Sequence, residues 1–210
     1  MKTTLIWATP DADHLIGHIA RVSNPENQTN PDVAGLIRYC YRNQHWSPFE
    51  MVSACIEIET TRDIARQVLR HRSFSFQEFS QRYQDVSKLP VSELRECRLQ
   101  DTKNRQNSLE TDDAELARQW GEAQREVDRL ATQHYKWALA NGIAKEQARV
   151  VLPEGLTTSR LYMAGSLRSW LHYVTLRRAN GTQKEHQQIA EGTLDILRHA
   201  FPETIRAVGL

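Results

Sequence analysis

The sequence predicts a single domain of α/β (α+β mixed) class over residues 1–210. It should have a central mixed β-sheet flanked by helices, including a long one near 112–141. Three observations predict it. Segments of period-two hydrophobicity are interleaved with segments of helical period. No internal repeat or composition break divides the chain. Hydrophobic residues make up 40% of 210, enough to bury one sizeable core.

Leu5, Ile6 and Trp7 predict a first strand, ended by Pro10. Asp11 or Asp13 then caps a helix to about Arg21, with Leu15, Ile16, Ile19 and Ala20 inward. Asn30-Pro31 opens a second helix, with Val33, Leu36, Ile37 and Cys40 or Tyr41 at helical spacing. Ser47-Pro48 breaks the chain. Met51 to Glu59 alternates as a strand, with Val52, Ala54, Ile56 and Ile58 on one face. From Thr61 to about His71 a helix carries an apolar stripe of Ile64, Ala65, Val68 and Leu69. It also lines up Arg62, Arg66 and Arg70, like charges that repel at this spacing unless partnered or solvated. Arg62 reads either way; Arg70 is delivered into the next segment.

Residues 85–112, polar and poor in rings, read as a loop excursion. A capping box of Asp112 and Glu115 starts the long helix, and Asn141-Gly142 stops it. Its Leu116, Trp120, Ala123, Val127, Leu130, His134 and Trp137 form a stripe expected to be core or a subunit contact. His134 is then a satisfied core or boundary histidine. Lys145–Val151 predicts a short helix ended by Pro153, Leu156–Met163 a strand, and Leu167–Leu176 and Gln183–Ala200 two closing helices.

Several classes of function are disfavoured. A formal net charge of +1 gives no global pull toward nucleic acid or membrane. No apolar run is long enough to span a bilayer, and the N-terminus turns polar too soon for a signal peptide. Cys40, Cys55 and Cys97 are scattered, without a CxxC pair, which fits a reducing cytoplasm and neither disulfides nor zinc. Cys55 reads as a buried small hydrophobe rather than a nucleophile. Neither GxGxxG, a P-loop nor GxSxG is present. His14 and His18 lack the glutamate of HExxH and read as surface, so no metal is expected.

One segment fits neither loop nor strand. RHRSFSFQEFSQRY, residues 70–83, sets three arginines and a histidine among four rings, with serines, glutamines and one carboxylate. Arginine forks match phosphate bidentately, amides and hydroxyls read polar edges, and rings can cover a flat heterocycle. The chemistry fits a phosphorylated aromatic ligand. A second basic group, Arg149, Arg168 with His172, and Arg177 with Arg178, supports that reading, although arginines near a helix end also complement its dipole. A nucleic-acid-binding module is the reading from another class, but these cations converge rather than form a stripe.

Arg70-His71-Arg72, seven residues, then Ser80 resembles the RHRx7S signature of flavin-dependent thymidylate synthases. Gln67, Arg82-Tyr83, Ala20-Arg21-Val22-Ser23, Ser47-Pro48-Phe49-Glu50, Ala148-Arg149-x-x-Leu152-Pro153 and the Ser166-to-Arg177 segment extend the likeness, in order, over nearly all the chain except about 85–112. The resemblance implies reductive methylation of deoxyuridylate to thymidylate. Methylenetetrahydrofolate would give the carbon, FAD would carry the hydride and NADPH would reload it. It also implies a homotetramer with sites where subunits meet.

Carried over residue by residue, Gln67, Val68, Leu69, Arg70, Glu78, Phe79, Ser80, Gln81, Arg82, Arg149 and Arg177 would contact deoxyuridylate. Ser47, Arg70, His71, Arg72, Glu78, Ser166, Leu167, Arg168 and His172 would contact FAD. Arg177 would be the catalytic residue, stabilising charge on the uracil, and Ser80 a binder rather than a nucleophile. The sequence departs from the family at Gln77 (often Asn), Ser47 (often Thr), Ser166 (usually Asn) and Gly181 (commonly His). A sibling enzyme that hydroxymethylates pyrimidine nucleotides would use the same contacts.

Overall fold

A computed structural model describes residues 1–88 and 93–210. The chain begins with β1 (Lys2–Ala8), α1 (Ala12–Ala20), α2 (Ala34–Arg42), the short α3 (Ser47–Glu50), β2 (Ser53–Thr61) and α4 (Arg62–Val68). Next come β3 (Ser75–Glu78), a hairpin of β4 (Arg98–Gln100) and β5 (Ser108–Glu110), and the long α5 (Ala114–Ala140). The closing elements are α6 (Lys145–Ala148), β6 (Thr158–Ser166), α7 (Leu167–Arg177), α8 (Lys184–Ala200) and α9 (Pro202–Val208).

The central sheet has the order β1-β2-β6-β3, and all its pairings are antiparallel rather than mixed. Hydrophobic periodicity marks strands but carries no strand direction, which is why the sequence reading missed this. Ala54, Ile56 and Ile58 of β2 and Leu161 and Met163 of β6 are fully buried on one face. Against that face lie Ile64 and Val68 of α4, Trp170 and Tyr173 of α7, and Ile189, Leu194 and Leu197 of α8, all equally buried in one core. Each such large side chain contributes about 1.5–3 kcal/mol. The other face is more open, with Arg160 of β6 between Glu57 and Glu59 of β2 at 3.9 and 3.6 Å.

Several local expectations shift for identifiable reasons. Asp11 does precede α1, but in a left-handed conformation (φ 49°) and without a capping bond. Asp13 caps a different helix: it accepts from the backbone N–H groups of Glu203 and Thr204 at 2.8 and 3.0 Å, at the start of α9. α2 starts at Ala34, past Asn30-Pro31, whose Asn30 carbonyl accepts from Arg21 at 2.6 Å. Ser47-Pro48 starts the turn of α3 rather than breaking the chain, since proline is tolerated in a first helical turn.

Downstream, α4 ends at Val68, and the strand expected over 156–163 occupies 158–166. Neither β3, inside the arginine-rich segment, nor α9 was expected. The excursion 85–112 contains the β4–β5 hairpin; its residues 89–92 lie outside those described. Asp113, not Asp112, caps α5, accepting from Leu116 N at 2.9 Å.

Of the two readings of the α5 stripe, core or subunit contact, the structure excludes the core. Every expected member, from Leu116 to Trp137 and including His134, is exposed. The inward face is instead Gln124, Ala131, Tyr135 and Ala138. Tyr135 and Ala138 pack with Ala148 in a small second core. His134 is therefore neither core nor boundary.

Candidate functional site

The segment 70–83 is organised by β3, which pairs Ser75 with Ala164 through Glu78 with Leu161. Phe74 lies edge-on to Trp170 at 4.6 Å, and it closes on Gly165, where a Cβ would come within 2.5 Å of its ring. Phe74 and Phe76 thus pack against the core instead of lying free to cover a flat ligand.

Turning out of α4, the chain places His71 against α7. Arg177 Nε donates to His71 Nε2 at 2.8 Å, joining positions 106 residues apart. The His71 ring is edge-on to Tyr173 at 4.9 Å and to His186 at 6.2 Å. Burial, and then the charge of Arg177, push His71 down to about 4, leaving Nε2 a lone pair for the guanidinium. The same causes hold the fully buried His186 at about 3, and burial raises the Tyr173 phenol.

Gln67 meets this cluster, accepting from His186 Nδ1 (3.3 Å) and donating to Gln183 Oε1 (2.8 Å). Its neighbour Val68 faces the core with no exposure and presents no surface to a ligand; Leu69 is half-buried and Arg70 exposed. Glu78 accepts from Ser159 Oγ (2.7 Å) and Arg62 Nη1 (3.4 Å). The arginine row is therefore partly neutralised, with Arg66 on Glu154, and Arg62 is no solvated residue at 14% side-chain exposure.

A second group of expected residues gathers around α6. Glu146 accepts from Arg82 Nε through its carboxylate and from Arg149 Nε through its carbonyl, both at 3.3 Å. Buried Gln81 has an Nε2 with no acceptor among the described residues. Ser80 is exposed, with its carbonyl closing a turn to Tyr83 N and Gln84 N, and the Phe79 N–H donates to Arg160 O at 2.8 Å.

A cavity of about 700 Å³ lies beside α3 and α7, a size common for ligand sites. Its lining includes Ser166, Arg168 and His172, with Trp46, Glu50 and Ser73 that sequence reasoning did not assign. Arg168 Nη1 donates to Glu50 at 2.7 Å and its guanidinium lies 5.8 Å from the Trp46 ring. Arg168, then the Ser166 hydroxyl, hold the Glu50 carboxyl below its usual range. Ser47 is exposed next to Trp46, whereas Leu167 is fully buried, its N–H donating to Val52 O at 2.8 Å. Arg70, His71, Arg72 and Glu78 do not line the cavity; Ser73 beside Arg72 does.

Glu50 and Ser73 were legible as neighbours of assigned residues. His186, Gln183 and Glu146 had no signal, because only the tertiary packing brings them to assigned residues. Burial pushes the Cys55 and Cys40 thiols up, away from nucleophilic character. Among the described residues no group of three or more His, Cys, Asp or Glu is placed to hold a metal ion, and no helix is long and apolar enough to cross a membrane.

Comparison with known proteins adds to this geometry. A family model described as thymidylate synthase complementing protein matches residues 4–203. A probable flavin-dependent thymidylate synthase of Paramecium bursaria Chlorella virus 1 is 47% identical over 198 residues, covering 94% of this chain and 90% of its own. A flavin-dependent thymidylate synthase of Synechocystis sp. is 50% identical over 194 residues, 92% and 88% of the two chains. Among solved structures, the UMP/dUMP methylase PolB from Streptomyces cacaoi bound with 5-Br dUMP superposes with a TM-score of 0.85 at 28% identity. That match covers 99% of this chain and 94% of the other.

Proposed function

The chain belongs to the thymidylate synthase complementing protein family, the flavin-dependent thymidylate synthases, and from that premise we propose that it methylates deoxyuridylate to thymidylate with methylenetetrahydrofolate as carbon donor and NADPH as reductant. The observation that carries this is the 2.8 Å bond between Arg177 and His71, which ties the expected activating arginine to the RHR motif.

The residues present suit a flavin. The cavity offers the rings of Trp46 and Tyr41, the hydroxyls of Ser73, Ser166 and Thr175, and the guanidinium of Arg168, a donor set for a flat ring, a polyol and a phosphate. Ser166, Arg168 and His172 would hold FAD there, with Ser47, Arg70 and Arg72 reaching from beside it. Bound, FAD supplies the hydride, chemistry that belongs to the cofactor.

The remaining steps fall to the chain's own groups. Arg177 stabilises negative charge on uracil as the N3 proton leaves, which makes C5 nucleophilic. Neutral His71 keeps the guanidinium aimed by accepting from Nε, so the outer nitrogens remain for the substrate. Arg82, Arg149 and the unpaired Nε2 of Gln81 offer donors to phosphate or carbonyl oxygens. Ser80, exposed, serves as a binder. The Gln67–Arg177 group and the Ser80–Arg149 group form two clusters in this chain. We infer a homotetramer in which one copy's second cluster completes the site of another.

Purified protein should be yellow. It should make thymidylate only when deoxyuridylate, methylenetetrahydrofolate and NADPH are all present, with product mass separating methyl from hydroxymethyl. Colourless protein that FAD cannot reconstitute would sink the proposal. Arg177→Ala should keep flavin absorbance yet lose at least about 100-fold in turnover, the scale of losing a transition-state charge donor. Uridylate belongs in the same assay, since the structural neighbour PolB is a methylase of both UMP and dUMP.

A further inference from the structure

Glu185, in the first turn of α8, is almost fully buried. Burial alone would raise its carboxyl, but the Arg98 hydrogen bond at 2.6 Å, its own backbone N–H, Arg95 at 3.4 Å and Gln183 together bring it below its usual range. An ionised carboxylate only accepts hydrogen bonds. Its Oε2 lies 2.9 Å from Gln183 Nε2, so the Gln183 amide points nitrogen toward Glu185 and oxygen the other way. That oxygen accepts from Gln67 Nε2 at 2.8 Å, which turns Gln67 Oε1 toward His186 Nδ1 at 3.3 Å.

Two acceptors cannot bond, so His186 Nδ1 carries the proton. A neutral imidazole has one N–H, which leaves Nε2 to accept from the Tyr173 hydroxyl at 3.2 Å. His186 and Tyr173 have no exposed surface, so bulk solvent does not reach the links at that end. Among the described residues, the groups bearing on His186 are Gln67, Tyr173, His71 and Arg177, and none of them supplies a negative charge.

We propose that His186 is a positioning residue: within a hydrogen-bond chain directed by the Glu185 carboxylate, its Nδ1–H locks the Gln67 carboxamide so that an N–H, and never the carbonyl, faces the nucleotide. The second N–H of Gln67 has no partner among the described residues. It is matched to an acceptor oxygen of the ligand and mismatched to an amino group, so the lock favours a uracil nucleotide over one presenting an amine there. The functional part rests on the reading that Gln67 touches the nucleotide; the direction of the chain does not.

The test uses the intact protein labelled with [15N]histidine. His186 should show the Nδ1–H tautomer, unchanged from about pH 8 to about pH 6, where an ordinary histidine titrates. An Nε2–H tautomer, or titration in that range, overturns the proposal. In calorimetry with deoxyuridylate, His186→Leu should weaken binding about tenfold, the scale of one lost hydrogen bond. His186→Asn, which restores a donor at the Nδ1 position, should recover most of it. Equal losses in both variants would reduce His186 to a purely structural role. If Gln67→Leu leaves deoxyuridylate affinity intact while the Nδ1–H tautomer is seen, the assignment of Gln67 fails and the directed chain stands.

Discussion

At the scale of single residues, two histidines are held neutral by their surroundings. Unfolded, they would titrate near 6.5; folded, His71 does so at about 4 and His186 at about 3. Between those values and 6.5 the unfolded chain binds more protons, so stability is whole above 6.5 and is lost as pH falls toward 4. His14, paired with Asp11 and raised by that bond, shifts in the opposite sense but is fully exposed. The urea midpoint at fixed protein concentration should therefore drop between about pH 7.5 and about pH 5.5, above the carboxylate range. Replacing both residues, His71→Gln with His186→Asn, should remove most of that drop. A midpoint flat in pH for the unaltered protein would contradict neutral histidines at these positions.

At the scale of elements, the β4–β5 hairpin is tied to the body through Arg98 and Glu185, whose side chains are only 11% and 9% exposed. Breaking a buried pair from one side leaves a charge with less compensation. Arg98→Met should cost about 2–4 kcal/mol in urea denaturation, and adding Glu185→Gln should recover part of it. No recovery in the double variant would mean the arginine stem, not the charge, does the holding. The ease of reading each element from sequence follows its physics. β2, with three apolar residues on one face, and α8, with its repeating apolar positions, bury enough surface to print their period. β3 was obscured because its four residues alternate Phe76 with serine and glutamine inside an arginine-rich segment chosen for chemistry as much as for folding. Asp13 looked like a local cap and serves a helix 190 residues away, a bond no window of sequence can display.

At the scale of the whole molecule, an exposed line of Leu116, Trp120, Val127, Leu130 and Trp137 runs along α5, and Val150 and Val151 are exposed beside Arg149. Such a surface on a single copy fits association, as does the division of expected substrate contacts into two clusters. Trp120→Glu combined with Trp137→Glu should yield a folded protein of monomer mass by light scattering, with turnover lost. A full-sized assembly with normal turnover would show that α5 does not join the copies. The RHR motif and the arginines were plain in the sequence because their chemistry is unusual. Their distribution between two clusters was not, because it depends on how the chain folds back.

The β2–β6 pairing has a different implication, for the order of events in synthesis. The paired strands lie roughly a hundred residues apart, a long-range closure of the sort that slows folding. While α5 is being made, the apolar face of β2 has neither β6 beside it nor α7 and α8 over it. Both arrive almost together, since α7 begins at the residue after β6 ends. The nascent chain thus carries an open hydrophobic strand while roughly the next hundred residues are made, and its core closes only when β6, α7 and α8 emerge.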